Sequence, residues 1–448
     1  MDFQSFKQAV IAKCAQLGIE EYELYYQVGG STSVDAFQHS VNEFTSSLEG
    51  GVCFRCIAGG KMGYASTQAL SESEAAAVVE RAVDNALTLE TEDQVFLGEG
   101  GQEYEPLVRE AYELASTEEL IATVLATQEK LYAANPAVID GCQTQGLLNR
   151  HEIAIYNSKG LDLHYESNTA GLIAVAVVTN GQEMENSFKF KLGKLDEIDT
   201  DALTKKAVDS ALQKLGGQVA PTGQYPVVFN PDAMSSLLQV YSSIFSSEAA
   251  QKGLSKLADK EGQVIASPVV TLVDDPFHQD NPDPINFDAE GSPTHCKNVI
   301  EKGTLNTLLY NLKTAHKAGK ATTGNASKGS YASSVGISPF TMYLAGGELT
   351  EDELLEQVGE GVYIHSLQGL HAGANPISGD FSLQSAGFMI RGGKKAEYVK
   401  SFTVAGNFYD LLKQIKAVAS NVELPMAMDK TAFGAPTTLV EGLSIAGK

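Results

Sequence analysis

The chain has 448 residues, enough for two or three domains that each bury a hydrophobic core. Its formal charge of -24 opposes binding to the phosphates of nucleic acid, and no apolar run is long enough to cross a bilayer. We therefore expect no nucleic-acid partner and no membrane association. The negative charge is expected to serve solubility, although it could also attract basic peptides.

Cysteine usage and the first residues predict a cytoplasmic protein. The five cysteines are scattered, as is usual for reduced thiols of the cytosol. Cys53 and Cys56 have the C-x-x-C spacing of redox and zinc sites, but residues 51–57 have the composition of a strand, which would point the two thiols to opposite faces. The helix predicted near residues 2–17 is amphipathic and does not have the pattern of a signal peptide.

The first half of the chain alternates strand meanders with helices. Glycine pairs at 29–30, 50–51 and 59–60 predict turns between four strands at 21–28, 32–39, 42–48 and 51–58. Two helices follow, one that Ser71 or Ser73 caps and one at 117–133. A second meander at 151–190 and a helix at 199–215 repeat this order. The recurrence predicts an internally duplicated α+β domain.

A Gly/Pro-rich break at 216–226 predicts the boundary between an N-terminal domain, residues 1–222, and a C-terminal domain, residues 223–448. Beyond the break, short strands alternate with glycine turns, which predicts a mainly antiparallel barrel or sandwich. Residues 234–248 have the pattern of one amphipathic helix. Its apolar stripe consists of Met234, Leu237, Leu238, Tyr241, Ile244 and Phe245.

Several phrases of the sequence, taken in order, resemble one known family. They are DDP at 274–276, FDAEG at 287–291, the run from 301 to 327, GDFSLQSAGFMIRGGK from 379, SFTVAGNFYDLLKQI from 401 and, in the first half, EGGVCFRCIAGGKMGYAST from 49. Their order and spacing resemble the TldD/PmbA family, also called peptide-maturation proteins or proposed modulators of DNA gyrase, over nearly the whole chain.

The resemblance implies a cytosolic peptidase system that trims unfolded peptides inside an enclosed cavity. It also implies two branches. Members of the TldD branch hold zinc through a helical His-Glu-x-x-x-His and a cysteine near the C-terminus. Members of the TldE (PmbA) branch lack these ligands and pair with a TldD subunit.

The residues at the expected ligand positions predict that this chain belongs to the TldE (PmbA) branch. Zinc peptidase chemistry needs imidazole or thiolate ligands and a carboxylate beside the bound water. When the Leu-Leu that precedes the family motif is matched to 237–238, Gln239, Val240 and Ile244 stand where His, Glu and His are expected. The cysteine is expected near 425–428, where the sequence reads Pro-Met-Ala-Met, and no cysteine follows Cys296. We expect no catalytic residue, no metal and no cofactor in this chain, with zinc only in a TldD-type partner.

A glycine-rich segment at 369–394 is the predicted substrate-binding region. Glycine lets backbone approach a ligand closely, so the segment could pair its main chain with an extended peptide, or it could be a hairpin-rich corner of a barrel. His371 could act as a base, but no nucleophile with an orienting acid can be assigned to it. The candidate substrate-binding residues are Gly373, Asn375, Gly379, Asp380, Phe381 and, from a separate turn, Asn325.

The acid-rich loop at 274–296 is the most metal-like feature that remains. Its spacing matches no EF-hand or zinc pattern, so a solvated turn and an ion site both stay open. Its candidate ligands are Asp274, Asp275, Asp280, Asp283, Asp288, Glu290, His278, His295 and Cys296.

The sequence predicts a PmbA/TldE-type subunit of a cytosolic peptidase system, which pairs with a TldD-type zinc peptidase subunit and holds extended peptides. One alternative is a homodimeric peptide-binding or scaffold protein without a proteolytic role. Another is a peptidase with an unrecognised site that uses the acid-rich loop and His278 or His295.

Overall fold

The computed structural model describes residues 1–91, 93–107, 112–281, 283–428 and 431–448, and only the backbone of 426–428. Within these ranges no helix is both long and apolar enough to cross a bilayer. The chain forms two halves, each built around its own β-sheets.

The first half contains two copies of one unit, made of a helix, three antiparallel strands and a second helix. The first copy comprises α1 Phe3–Leu17, β1 Tyr22–Phe37, β2 Ser40–Ala58, β3 Lys61–Thr67 and α2 Glu72–Thr88. The second copy comprises α3 Thr117–Ala134, β4 Gln143–Asn157, β5 Asp162–Thr179, β6 Met184–Gly193 and α4 Thr200–Leu212. Since β1 pairs with β4, the two meanders join into one six-stranded sheet in the order β3-β2-β1-β4-β5-β6. The predicted duplication is confirmed.

The helices of this half begin at side-chain caps and cover one face of the sheet. Asp2, Ser71, Ser116 and Asp199 each accept a hydrogen bond from a backbone N–H in the first turn that would otherwise lack a partner. The helices bury two apolar clusters, one under α1 and α2 and one under α3 and α4. The opposite face of the sheet is left for the second half of the chain.

The prediction of four short strands between residues 21 and 58 was wrong. Residues 22–58 form two long strands, and Gly30 pairs with Leu48 inside the ladder. The hairpin turns instead at Gln38 and His39, whose φ angles are 48° and 64°. These values are the positive angles that a tight two-residue hairpin turn requires. Of the predicted glycine turns, the one at 59–60 is a turn between β2 and β3.

The second half contains a closed barrel and a second sheet. Its strands are β7 Gln218–Val219, β8 Gly223–Phe229, β9 Leu272–Asp274, β10 Lys297–Glu301, β11 Thr304–Leu305, β12 Ala326–Ser327, β13 Gly336–Ile337, β14 Thr341–Leu344, β15 Gly361–Gln368, β16 Asp380–Arg391, β17 Lys394–Asn407, β18 Ile415–Val418, β19 Glu423–Met428, β20 Thr431–Ala435 and β21 Thr438–Ala446. Its helices are α5 Pro231–Tyr241, α6 Ser247–Gln251, α7 Leu312–Ala318, α8 Glu351–Val358, α9 Leu370–Gly373 and α10 Phe408–Gln414.

The barrel closes because β21 pairs with both β8 and β17, in the ring β21-β8-β15-β16-β17. The second sheet has the order β11-β10-β9-β14-β20-β19. Three strand pairings in the barrel and the second sheet are parallel: β8 with β15, β14 with β20, and β7 with β17. The other strand pairings of the barrel and the second sheet are antiparallel. The predicted barrel is confirmed, while the boundary between residues 222 and 223 stays a prediction.

The apolar helix predicted over 234–248 is split into pieces. Helix α5 ends at Tyr241, a 3-10 turn spans Ser242–Phe245, and α6 starts at Ser247. The helix is interrupted because Leu309 pairs with the backbone on both sides of the break: its N–H donates to Phe245 O at 2.8 Å and its O accepts from Ser247 N at 3.0 Å. The apolar stripe is nevertheless core as predicted, with every member at most 1% exposed.

Candidate functional site

The uncovered face of the first sheet is defined by the two-residue period of its strands. On β1, Leu24 points to the helices, whereas Tyr25 and Gln27 point to the other face. The same alternation places Cys56 in the core under α1 and α2 and Cys53 in the cluster on the uncovered face. The two thiols therefore lie on opposite faces of the sheet, as the strand pattern predicted, and do not form a C-x-x-C site.

A cleft of about 910 Å³ lies between this uncovered face and loops of the second half. Its floor is formed by β1, β2, β4, β5 and β6, and its roof by residues 283–289, 326–331 and 338–340 with Thr431. The lining combines hydroxyl groups, such as those of Ser31 and Thr169, with the aromatic rings of Phe188 and Phe190. Such a mixture of apolar surface and a few polar groups is typical of a ligand-binding cleft.

Lys328 contributes a buried cation to the cleft. The residue lines the cleft, yet it is only 8% exposed. Its Nζ lies 5.0 Å from the centre of the Tyr25 ring and close to the Cys53 thiol. Burial lowers the pKa of Lys328, and the nearby Arg55 guanidinium lowers it as well.

A buried charge network supports the floor and joins the two halves. Arg55 Nε donates to Glu23 Oε1 at 2.7 Å, and Arg55 Nη1 lies 3.7 Å from Glu290 Oε1 in the roof loop. Glu290 also accepts from Leu312 N at 2.8 Å. Burial raises the pKa of Glu290, and the charge of Arg55 opposes that rise. This network fixes the roof loop to the sheet.

Asp288 is the carboxylate of the acid-rich loop that lies deepest in the cleft wall. It accepts hydrogen bonds from the backbone N–H groups of Glu290, Ser292 and Ala326, each at 2.9 Å. Burial and the neighbouring Glu290 raise the pKa of Asp288 to about 7, against the effect of these donors. With its oxygens occupied by backbone donors, Asp288 shapes the loop.

Two further carboxylates of the loop at 274–296 also accept hydrogen bonds within the protein. Asp274 accepts from Lys297, Asn325 and Phe340 N, and Asp283 accepts from the Tyr165 hydroxyl. Within the described ranges, the one set of three or more ligand-type groups close enough to share an ion lies elsewhere. That set is Glu152, His164 and Glu166 on β4 and β5.

The predicted substrate-binding residues from 373 to 381 lie together at the end of the barrel beside α5. Tyr241 of α5 donates from its hydroxyl to Asp380 O at 2.8 Å, and Asn375 N donates to the same oxygen at 2.9 Å. Phe381 is buried in the main core of the second half. Gly379 has a φ of +85°, and a Cβ there would lie 2.5 Å from the Tyr409 ring. The structure thus gives this segment a packing role, and its role in substrate binding stays a prediction.

Asn325 lies apart from that group. It is fully buried, and its Nδ2 donates to Asp274 Oδ2 at 2.7 Å and to Ser338 O at 3.1 Å. Its chain neighbour Ala326 lines the cleft. Asn325 therefore holds part of the roof in place, and direct contact with a substrate stays a prediction.

Helix α5 packs against β19 and β20, so the helix and the C-terminal segment singled out for zinc ligands are neighbours in space. On α5, Gln239 is exposed and Val240 is half-buried against the core, while Ile244 in the following turn is 1% exposed. None of these three side chains is a ligand that zinc prefers. The side chains of 426–428 lie outside the described residues. The residues seen on the helix side do not fit a zinc site.

Three family models match successive parts of the chain. The C-terminal domain of PmbA/TldA metallopeptidases matches residues 222–447, domain 1 matches residues 22–86, and the central domain matches residues 111–215. The chain belongs to the PmbA/TldD family. Family membership, as the sequence predicted, is confirmed.

Relatives within the PmbA/TldD family come from bacteria and archaea. The metalloprotease PmbA homolog of Haemophilus influenzae is 26% identical over 400 residues, which cover 87% of this chain and 85% of that protein. An uncharacterised protein of Methanocaldococcus jannaschii is 26% identical over 396 residues, or 88% and 90% of the two chains.

Solved structures show the same PmbA/TldD fold. The crystal structure of a proposed modulator of a DNA gyrase from Thermotoga maritima has a TM-score of 0.90 and 29% identity, and covers 99% of this chain and 100% of that chain. TldE from Thermococcus kodakarensis has a TM-score of 0.86 at 23% identity and covers 98% and 100%. The latter likeness concerns the fold alone.

Sequence reasoning did not find the cleft or Lys328. The lysine stands in a Gly/Ser-rich segment, and nothing in the local spacing distinguishes it from a solvated loop residue. The sequence does signal the floor, because Gly29, Gly30 and Gly50 line the cleft, although their pattern alone predicts turns.

Proposed function

We propose that this chain is a PmbA/TldE-type subunit of a cytosolic TldD/TldE-like peptidase system, in which it holds unfolded peptides and a TldD-type partner supplies zinc and cleavage. Membership in a family of metallopeptidases supports the peptidase system. The observation that carries the assignment to the metal-free branch is α5. In place of two imidazoles and a carboxylate, this helix and its following turn present Gln239, Val240 and Ile244.

The burial of Tyr241 and Ile244 supports a packing role for α5 and the turn that follows it. Ile244 and Tyr241 belong to the main core, and the Tyr241 ring stacks on Phe408 at 4.4 Å between centroids. An imidazole in place of Ile244 would have to enter this apolar packing and would lose its solvation. Restoring ligands would thus require more than a change of residue identity.

The free part of β2 offers a surface for the partner. Strand β3 pairs with β2 only from Val52 to Ala58, so within the described ranges the segment 40–51 has no strand neighbour on that side. This segment exposes Phe44 by 50% and Leu48 by 76%. An exposed strand edge with apolar side chains is suited to pairing with another chain. We assign it to the TldD-type subunit.

Mixing the purified chain with a TldD-type subunit from the same genome tests the function. The chain alone is expected to contain less than about one zinc per ten chains and to cleave no unfolded peptide. The mixture is expected to elute as a complex and to cleave peptides faster than the TldD-type subunit alone. Stoichiometric zinc in this chain, or a mixture that gives neither complex nor faster cleavage, would overturn the proposal.

Charge substitutions on β2 test the docking surface. Phe44→Glu and Leu48→Glu are expected to weaken the complex at least about tenfold, because a carboxylate at the interface core must lose its hydration. Val264→Glu is the matched control, since Val264 is 73% exposed and lies in the second half. A homodimer that forms without any partner and is broken by the β2 substitutions would assign the edge to self-association instead.

A further inference from the structure

Among the residues that the structure describes, the Lys328 ammonium has no ion-pair partner of opposite charge. An ammonium group carries three N–H donors. Its described neighbours are the face of the Tyr25 ring and the Cys53 thiol, both of which are weak acceptors. Among the described residues, no carboxylate oxygen lies within 4.0 Å of Lys328 Nζ.

The carboxylates that line the cleft are committed elsewhere or exposed. Asp288 accepts from three backbone N–H groups, and Asp283 accepts from the Tyr165 hydroxyl. Glu49 lies on the exposed part of β2. The nearest buried ionised groups, Glu23 and Arg55, are bonded to each other and act on Lys328 with opposite signs.

Burying an ammonium group without an acceptor is costly, because the lost hydration is not replaced. Residue 328 is 8% exposed and nevertheless lines a cleft of about 910 Å³. A ligand in the cleft would therefore lie against this residue, and an anionic oxygen would provide an acceptor that the described residues do not.

We propose that the cleft binds the carboxylate group of an extended peptide, with Lys328 as its counter-ion. This inference rests on the proposed function, in which the chain holds unfolded peptides. Beyond that function, it specifies the part of the peptide that is recognised, a carboxylate group, and the residue that binds it, Lys328. The carboxylate belongs either to the peptide C-terminus or to an acidic side chain, since both present the same two oxygens to the ammonium.

The surroundings of Lys328 suit this ligand. The floor hydroxyls of Ser31, Ser47 and Thr169 can bond peptide amides, and Phe188 and Phe190 can cover apolar side chains. At the end near the lysine, Gly51 leaves room for the Tyr331 ring, because a Cβ there would lie 2.7 Å from the ring. A peptide that covers the buried Lys328 would displace water there, which strengthens the interaction between ammonium and carboxylate.

Three peptides of one uncharged, unstructured sequence test the proposal on the chain alone, without partner or cleavage. One has a free C-terminal carboxylate, one a C-terminal amide, and one a C-terminal amide with a single internal glutamate. Calorimetry is expected to show at least one of the two acidic peptides binding about tenfold more tightly than the uncharged amide, as a charged hydrogen bond of this kind would give. The peptide that binds more tightly shows whether the site recognises a C-terminal carboxylate or an acidic side chain.

Variants at position 328 locate the effect. Lys328→Met keeps the length of the side chain and is expected to abolish the preference while changing the affinity for the uncharged amide less than twofold; Lys328→Arg is expected to retain it. Equal binding of all three peptides by the native chain, or no binding at millimolar concentration, would overturn the proposal. So would a preference that survives in Lys328→Met.

A measurement on the native chain covers the case in which a variant misfolds. Reductive methylation followed by mass spectrometry is expected to show Lys328 protected by the acidic peptide and not by the uncharged amide. The exposed Lys394 serves as the internal reference. These measurements use no partner subunit, so their result does not depend on whether the chain forms a heteromer. Equal modification of Lys328 with all three peptides would refute the carboxylate site and leave the proposed function untouched.

Discussion

Arg55 on β2 lies directly opposite Glu23 on β1, and its Nε donates to Glu23 Oε1 at 2.7 Å. The two residues are 4% and 1% exposed. The pair lies on the sheet face that meets the second half, and Glu290 extends it into the roof loop. The contact thus links the strand register of the first half to the position of the cleft roof.

Removal of the Arg55 guanidinium from this pair is expected to destabilise the folded chain strongly. Arg55→Met leaves the buried carboxylates of Glu23 and Glu290 without their cation, which costs about 3–5 kcal/mol of unfolding free energy. Equilibrium urea unfolding followed by circular dichroism measures the loss. Arg391→Met is the matched control, because Arg391 pairs with Glu360 and Glu397 at an exposed position and should cost less than about 1 kcal/mol. Equal effects of the two substitutions would contradict a structural role for the buried network.

The duplicated sheet and the barrel could be predicted because their signals are local. Alternation of apolar residues, helix caps such as Ser116 and turn glycines follow from neighbouring residues. The peptidase function and the expected positions of zinc ligands came from the phrases that resemble the family, because hydrophobic periodicity carries no such information. The cleft could not be predicted, since its floor and roof come from residues far apart in the chain, such as Tyr25 and Lys328.

The glycines of β1 and β2 show why local signals can mislead. Gly50 and Gly51 resemble a turn, yet both lie in the middle of β2. A Cβ on Gly50 would lie 2.6 Å from Gln27 O, and the Tyr331 ring occupies the space beside Gly51. Their small size serves a close approach between strands and between halves, which no short sequence window can reveal.

Two positions in the segment 234–248 should respond differently to mutation, because one is exposed and the other is buried. Ile244→Ala is expected to cost about 2–4 kcal/mol, because it opens a cavity in the main core. Gln239→Ala changes an exposed side chain and should alter stability by less than about 0.5 kcal/mol. Thermal and urea unfolding of both variants provide the measurement. A large loss with Gln239→Ala would show that this position makes contacts that the fold does not account for.

Gly379 tests how far the packing of the 373–381 segment depends on backbone geometry. Gly379→Ala is expected to destabilise the chain by about 2 kcal/mol or more, because its φ of +85° and the nearby Tyr409 ring both oppose a Cβ. Gly253→Ala is the control: its φ is +72°, but nothing lies within 4 Å of the added Cβ. The difference in melting temperature between the two variants isolates the steric clash, and no difference would rule the clash out.

Asp380 tests whether the same segment contacts peptide. Its carboxylate is exposed and accepts from Asn407 Nδ2 at 2.8 Å, a bond that lowers its pKa. If the segment binds substrate as the sequence predicts, Asp380→Ala slows peptide cleavage by the complex at least about threefold, while stability changes by less than about 1 kcal/mol. Asp410→Ala removes another exposed acid from the same half and should leave cleavage unchanged. Equal rates for the two variants would refute a substrate contact at Asp380.

His365 on β15 is expected to make the chain sensitive to acid. Burial, together with Lys189, lowers the pKa of this imidazole from 6.5 to about 4, and its Nδ1 has no hydrogen-bond partner among the described residues. As pH falls below 6.5, the unfolded chain takes up a proton that the folded chain does not, so the unfolded state is favoured. The stability associated with neutral His365 is therefore complete above pH 6.5 and is lost as pH falls towards 4.

The variant His365→Phe isolates this contribution. It keeps a ring beside Phe388, whose centroid lies 6.5 Å away, and removes the titrating group. Because His365 is only half-buried, we expect native unfolding free energy to fall by about 1–2 kcal/mol more than that of the variant between pH 6.5 and 4.5. His371→Phe replaces an exposed imidazole and serves as the control. Parallel pH profiles for the native chain and His365→Phe would mean that the imidazole has the same pKa in the folded and unfolded chains, which would contradict the effect of burial.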